Sequence, residues 1–125
     1  MRILLESEAK LKIQEHIRSG RFSLVWSYLL DYENSKNPFR ERREQISTWV
    51  DYAEVDIEED QFIIEQALLF KSYGIKKLDS LHIACAIKGK AEYFLTTDDG
   101  VLKKAMLIQD IKITDPIGFI KEVAL

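Results

Sequence analysis

Short apolar runs of strand-like composition alternate along this chain with longer segments of helical periodicity. The predicted strands lie at 22–26, 53–57, 93–96 and 111–113. The predicted helices lie at 4–18, 28–33, 38–50, 58–73, 78–88, 100–106 and 116–123. This alternation predicts an α/β domain in which helices cover both faces of a small parallel sheet. Ligands bind such sheets beyond the carboxyl ends of the strands, so the residues after Trp26 and Leu95 are the first candidates for a site.

Length and composition are typical of a single globular domain. The 125 residues are 46% hydrophobic and 31% charged, so we expect one domain over 1–125 with a core of its own. The formal net charge of −3 excludes the strongly basic class of nucleic-acid coat proteins. No apolar run approaches the ~20 residues that span a membrane, and no signal peptide is recognisable. We therefore expect a cytoplasmic protein with no membrane partner.

Two helical segments give further structural expectations. The segment at 58–73 is apolar over most of its circumference, which predicts that it is well buried, and Gly74 should end it. The sole cysteine, Cys85, stands in an apolar stretch of the helix at 78–88. This setting predicts a buried, unreactive thiol in a reducing compartment.

Three acidic residues follow predicted strands or begin a helix. Glu33 lies in the helix after the first strand, Asp79 begins the helix at 78–88, and Asp98 follows the strand at 93–96. Taken singly, Glu33 is typical of a solvated helix acid and the two aspartates are typical of helix N-caps. Taken together, they predict an oxygen-lined, negatively charged site that Mg²⁺ or Mn²⁺ would neutralise. An ion held there could polarise a phosphodiester and activate a water molecule.

Two stretches of the sequence carry a resemblance to a known family. The segment Asp79-Ser80-Leu81-His82-Ile83-Ala84-Cys85-Ala86, followed by Tyr93-Phe94-Leu95-Thr96-Thr97-Asp98-Asp99, resembles the second half of a PIN domain. The upstream segment at 27–38 is similar to the family's first helix after its second strand. The resemblance runs over nearly the whole chain, and the downstream pair is its specific part. It implies a three-layer α/β/α fold and a metal-dependent ribonuclease, as in the VapC-like toxins of toxin–antitoxin pairs.

The resemblance also implies roles for individual residues. Glu33, Asp79 and Asp98 would be the catalytic acids and the ligands of Mg²⁺ or Mn²⁺. Asp99 would be a fourth metal acid, and the hydroxyl of Thr96 would support the site. The implied substrate is single-stranded RNA, and the implied partners are an antitoxin protein and a second copy of the chain in a homodimer.

The sequence departs from the family at its beginning. PIN domains start with an apolar strand that ends in a metal-binding aspartate, whereas this chain starts in its first helix. In the family that strand is central, so its loss would leave a gap of about 10 Å between the strands at 22–26 and 93–96. We expect a misassigned start or a truncated gene; the alternatives are direct pairing of the flanking strands or a strand donated by another chain. The missing carboxylate predicts weak or no hydrolysis.

A second hypothesis is a catalytically dead, PIN-like protein-interaction module. Such a module would dimerise and bind an antitoxin-like peptide or another protein. The helix that carries Phe62, Ile63 and Phe70, together with an exposed Trp49, would supply the apolar contact surface.

Basic residues lie close in sequence to Asp79 and Asp98. They are Lys76, Lys77, Lys103 and Lys104. Lysines of this kind are typical of a solvated surface, and they could also hold RNA phosphates beside the acids. His82 stands three residues after Asp79, and we interpret it as a packed or hydrogen-bonded helix residue rather than as a ligand or base.

Overall fold

A computed structural model of the chain describes the backbone of residues 2–124 and the side chains of residues 5–124. The helices are α1 (Arg2–Arg18), α2 (Tyr28–Ser35), α3 (Arg40–Ser47), α4 (Gln61–Ser72), α5 (Lys77–Lys88), α6 (Asp99–Leu102) and α7 (Pro116–Glu122). The strands are β1 (Leu24–Ser27), β2 (Ala53–Ile57), β3 (Tyr93–Leu95) and β4 (Lys112–Thr114). Short 3₁₀ turns lie at Thr48–Tyr52 and Ala105–Leu107. None of the helices described in residues 2–124 is long and apolar enough to cross a membrane.

The strands form two separate parallel sheets of two strands each. In the first sheet β1 pairs with β2, and Ser27 lies opposite Ile57. In the second sheet β3 pairs with β4, and the amide of Thr96 extends the pairing by donating to the carbonyl of Thr114 at 3.0 Å. The predicted mixed α/β class and the parallel pairing are confirmed, whereas the prediction of a single sheet is wrong, because β1 and β2 form one sheet and β3 and β4 form another. Direct pairing of the two flanking strands is wrong for residues 2–124, because β1 and β3 are not hydrogen-bonded neighbours.

Helices connect the two sheets. Helix α5 packs against both β1 and β3, and α4 packs along α5. Helix α1 packs against α7, where the ring of Phe119 lies edge-on to Phe22 at 5.1 Å and to Tyr93 at 4.8 Å. The central core lies between α4, α5 and the strands, and it includes Ile57, Ile63, Phe70, Ile83 and Val101.

The helix ends follow from local side-chain hydrogen bonds. Asp115 caps α7 by accepting from the amide of Gly118 at 2.7 Å, as expected for an aspartate that precedes a proline. Asn37 accepts from the amide of Phe39 at 3.0 Å and so forms a local turn. As a result α3 begins at Arg40, and the predicted start of this helix at Asn37-Pro38 is wrong.

Helix α4 is less buried than its apolar composition predicts. Ile63 and Phe70 are buried against the core, whereas Phe62 and Leu68 are 40% and 63% exposed. The reason is that α4 packs chiefly against α5, which covers one side of the helix and leaves the other open. The prediction that this helix is well buried is therefore wrong for half of its surface. Gly74 does end this segment, with a left-handed φ of +94° that favours glycine.

Candidate functional site

Two of the three predicted acids lie just after a strand, and the third lies in a helix that packs against both strands. Glu33 stands in α2, which directly follows β1, and Asp98 precedes α6 after β3. Asp79 lies in the first turn of α5, the helix that packs against both strands. The charges of Asp98 and Glu33 both act on Asp79, so acids from three separate stretches of sequence lie near one another.

Asp98 is held in one orientation by its own loop. Its Oδ1 accepts a hydrogen bond from the amide of Val101 at 3.2 Å and so caps α6. Its amide donates to the hydroxyl of Thr96 at 3.1 Å. The N-cap interpretation of Asp98 is therefore confirmed, and Thr96 contacts the backbone of the acid. Asp99 follows as an exposed residue in the first turn of α6 and does not cap the helix.

Asp79 is partly buried and sits within the first turn of α5. Lys76 occupies the N-cap position of this helix, so the interpretation of Asp79 as the cap is wrong. Burial raises the pKa of the Asp79 carboxyl, and the negative charge of Asp98 raises it further. The charges of His82 and Lys76 act in the opposite direction, while Glu33 adds to the increase. Asp79 is thus the acid whose ionisation the surroundings oppose.

Replacing Asp79 by asparagine is expected to raise the stability of the protein at neutral pH. The folded state binds the Asp79 proton more tightly than the unfolded state, so stability falls as the pH rises from about 3.8 through the raised pKa. Asparagine does not ionise, so the gain in Tm should appear above this window and vanish below it. Thermal unfolding from pH 3 to pH 8 measures the effect, with Asp51→Asn on the exposed turn before β2 as the control. A Tm difference that does not change with pH would contradict the prediction.

Glu33 is joined to α5 by a histidine. Nε2 of His82 lies 2.8 Å from Oε1 of Glu33, and the two side chains are 15% and 41% exposed. Glu33 is therefore not simply a solvated helix acid. The expectation that His82 is a packed, hydrogen-bonded residue is confirmed. Sequence reasoning missed this contact, although His82 and Asp79 are one helical turn apart on α5 and so share a face.

Of the four predicted lysines, Lys76 lies beside the acids. It is near enough to Asp79 to lower the pKa of that carboxyl. The ammonium group of Lys104 lies 3.5 Å from the point that a β-carbon on Gly74 would occupy, after the end of α4. Lys77 and Lys103 are exposed.

The acids have the oxygen donors that a hard cation prefers, but in the described residues their side chains do not converge on one point. Within the part of the chain that the structure describes, no three His, Cys, Asp or Glu side chains lie close enough to hold a metal ion. Two carboxylate oxygens already have partners, since Oδ1 of Asp98 accepts from Val101 and Oε1 of Glu33 contacts His82. The side chains as they stand do not form a closed metal centre.

One surface cavity lies away from the acids. An open cavity of about 500 Å³ is lined by residues of α5, β3 and β4, among them Ile87, Tyr93 and Lys112. None of the predicted acids lines it. Cys85 is buried, and burial raises the pKa of its thiol to about 11, in agreement with an unreactive cysteine.

Comparison of the chain with protein-family models, curated proteins and solved structures gave no match.

Proposed function

We propose that the chain is a PIN-like domain that binds single-stranded RNA at Glu33, Asp79 and Asp98 and cleaves it weakly or not at all. The observation that carries the proposal is that carboxylates from three stretches of sequence lie near one another: burial raises the pKa of Asp79, and the charges of Asp98 and Glu33 raise it further. Acidic side chains whose pKa is raised by burial and by neighbouring carboxylates are more frequent at functional sites than elsewhere on a protein. The parallel pairing of the strands and the packing of α5 against both sheets are compatible with the three-layer fold that the resemblance implies.

The proposed cofactor is Mg²⁺ or Mn²⁺, bound weakly. Hard divalent cations prefer carboxylate oxygens, and an ion at this position would neutralise the cluster. The described side chains do not close into a group of three donors, so we infer low affinity and, with it, low or absent hydrolysis.

The residues around the acids would position them and the RNA. His82 orients Glu33, and the Thr96 hydroxyl and the Val101 amide orient Asp98. Lys76 would bind phosphates beside Asp79, because lysine acts as a point charge toward phosphate oxygens.

Titration of Mn²⁺ by calorimetry tests the proposed site. We expect weak binding to the wild-type chain and a loss of affinity of roughly tenfold or more in Asp79→Asn, because affinity for such ions depends on the number of charged ligands. Asp51→Asn is the matched control, since it removes an exposed carboxylate from the turn before β2. Equal Mn²⁺ affinities in the wild type and in Asp79→Asn would remove the proposed site. Cleavage of a fluorescent single-stranded RNA, if detected, should be lost in Asp98→Asn.

An interaction module is the second candidate, and the exposed side of α4 favours it. Phe62, Leu68 and Leu69 are 40%, 63% and 45% exposed on this side. The surface differs from the one expected, because Ile63 and Phe70 are buried. Trp49 is likewise only partly exposed, since the guanidinium of Arg18 lies 4.7 Å from its ring.

If this side of α4 joins two copies or binds an antitoxin-like protein, Leu68→Glu should prevent the association. A charge placed in an apolar contact is costly to desolvate, so we expect the dimer affinity to fall by more than about tenfold. Light scattering after size exclusion, over a range of protein concentrations, measures the effect. A wild-type chain that stays monomeric would contradict the homodimer, and Leu11→Glu on the exposed side of α1 is the control.

A further inference from the structure

We propose that the cavity at the amino ends of β3 and β4 binds a free basic amino acid of the lysine type. The cavity has a volume of about 500 Å³ and lies between the loop that links α5 to β3 and the loop that leads into β4. Sites for small molecules commonly have volumes of about 300–1,000 Å³. Asp79 and Asp98 lie at the other ends of α5 and β3, so this is a second site, separate from the proposed RNA site.

Both walls of the cavity carry charged side chains. The loop after α5 supplies Lys90 and Glu92, and the loop before β4 supplies Asp110. All three are exposed and so accessible to a ligand, and within residues 5–124 none of them forms an ion pair. Lys112 also lines the cavity, but its ammonium group lies 2.6 Å from a carboxylate oxygen of Glu122. One cation and two anions are therefore left for a ligand.

These three charges match those of a basic amino acid. Such a molecule carries one carboxylate and two cationic groups, the α-ammonium group and the group at the end of its side chain. The carboxylate complements Lys90, and the two cationic groups complement Glu92 and Asp110. An apolar amino acid would leave one of these acids without a partner, and a diamine would leave Lys90 without one. A charged group that loses water and gains no partner weakens binding.

The cavity also offers apolar surface to the carbon chain of the ligand. Ile87, Ala91 and Ile111 line it together with the charged residues. Methylene groups are stabilised against such surface while the charged ends stay with polar groups, as in lysine side chains that lie along a protein surface. An inorganic ion would use only one sign of charge and none of this apolar surface.

The backbone of Lys90 is a second observation that favours a role in binding. Its φ is +59°, in the left-handed region. At this end of α5 the amide of Ala91 donates to the carbonyl of Ala86, and the amide of Lys90 donates to that of Ile87. Glycine is favoured at the left-handed position of such a helix end. A lysine at this position has a cost in stability, as is frequent for residues of binding sites.

Titration of the isotope-labelled chain with L-lysine, followed by NMR, tests the proposal. We expect the amide resonances of Lys90, Glu92 and Asp110 to shift and to saturate with a single dissociation constant. L-norleucine lacks the side-chain ammonium group and the diamine cadaverine lacks the carboxylate, so each should bind at least about tenfold more weakly. Equal affinities for the three compounds, or shifts confined to residues outside the cavity, would overturn the proposal.

The Lys90→Gly variant tests which group of the ligand the lysine binds. Glycine favours the backbone that Lys90 adopts, so the variant is expected to fold. Its affinity for L-lysine should fall at least about tenfold, whereas its affinity for cadaverine should not fall, because the diamine has no carboxylate to lose a partner. Lys12→Ala removes an exposed lysine of α1 and is the control, with wild-type affinity for L-lysine. Wild-type affinity for L-lysine in Lys90→Gly, or an equal loss for both compounds, would overturn the proposal.

Discussion

The Ile83→Ala variant is expected to lose about 2–5 kcal/mol of unfolding free energy. Ile83 is fully buried in α5, the helix that packs against α4, β1 and β3 at once. Truncation removes the packing contacts of the side chain and leaves a cavity that neighbours on three elements cannot fill together. Because domains of this size are stable by about 5–15 kcal/mol, the variant should be close to unfolding.

Urea unfolding followed by circular dichroism measures the effect of Ile83→Ala. The control is Leu68→Ala on the open side of α4, which should change stability by less than about 0.5 kcal/mol because that side chain is 63% exposed. Similar losses in the two variants would show that Ile83 does not lie in the core described above.

Gly89→Ala is expected to cost about 1–3 kcal/mol through overpacking. A β-carbon at this position would lie 2.6 Å from Cγ1 of Val25 and 3.3 Å from Cγ1 of Ile57. The backbone of Gly89 has φ −76° and ψ 2°, which any residue can adopt, so the cost arises from crowding alone. Gly89 thus allows the end of α5 to approach the first sheet closely.

A double-mutant cycle checks the crowding at Gly89. Val25→Ala removes the nearest carbon atom, so Gly89→Ala should cost less in that background than in the wild type. Urea unfolding of the four proteins gives the coupling free energy. Identical costs of Gly89→Ala in the two backgrounds would contradict a contact between Val25 and the end of α5.

Element types could be predicted from the sequence where local chemistry decides them. Asp115-Pro116 marks the start of α7 because both residues act through bonds to their near neighbours. Asn37-Pro38 has a similar appearance, yet there the asparagine makes a turn of its own and delays the helix to Arg40. The same kind of cap residue before a proline therefore begins a helix in one place and a turn in the other, depending on which backbone amide its side chain accepts from.

Burial could be predicted less well than secondary structure. Apolar composition does not show which side of α4 meets another helix, so Phe62 and Phe70 appear equivalent in the sequence although only Phe70 is buried. The division of the strands into two sheets is also a tertiary property, because each short strand has the same local pattern whichever neighbour it pairs with.

The sequence is enough to predict which acids belong to the candidate site, but not which hydrogen bonds they make. Residues that follow parallel strands meet at one end of the fold, so the positions of Glu33 and Asp98 after predicted strands are enough to make them candidates. The bond between Glu33 and His82 joins residues 49 positions apart, and nothing local in the sequence indicates it. The partners of individual carboxylate oxygens decide whether the acids can converge, and those partners follow from tertiary packing.

The cap that Asp98 provides also makes one backbone amide a natural spectroscopic reporter. The Val101 proton points at Oδ1 of Asp98, so its NMR chemical shift depends on the charge at that oxygen. Cations, phosphates or a proton arriving at Asp98 would each move this resonance without any attached label. A single well-placed peak can thus follow events at the carboxylate in the unmodified protein.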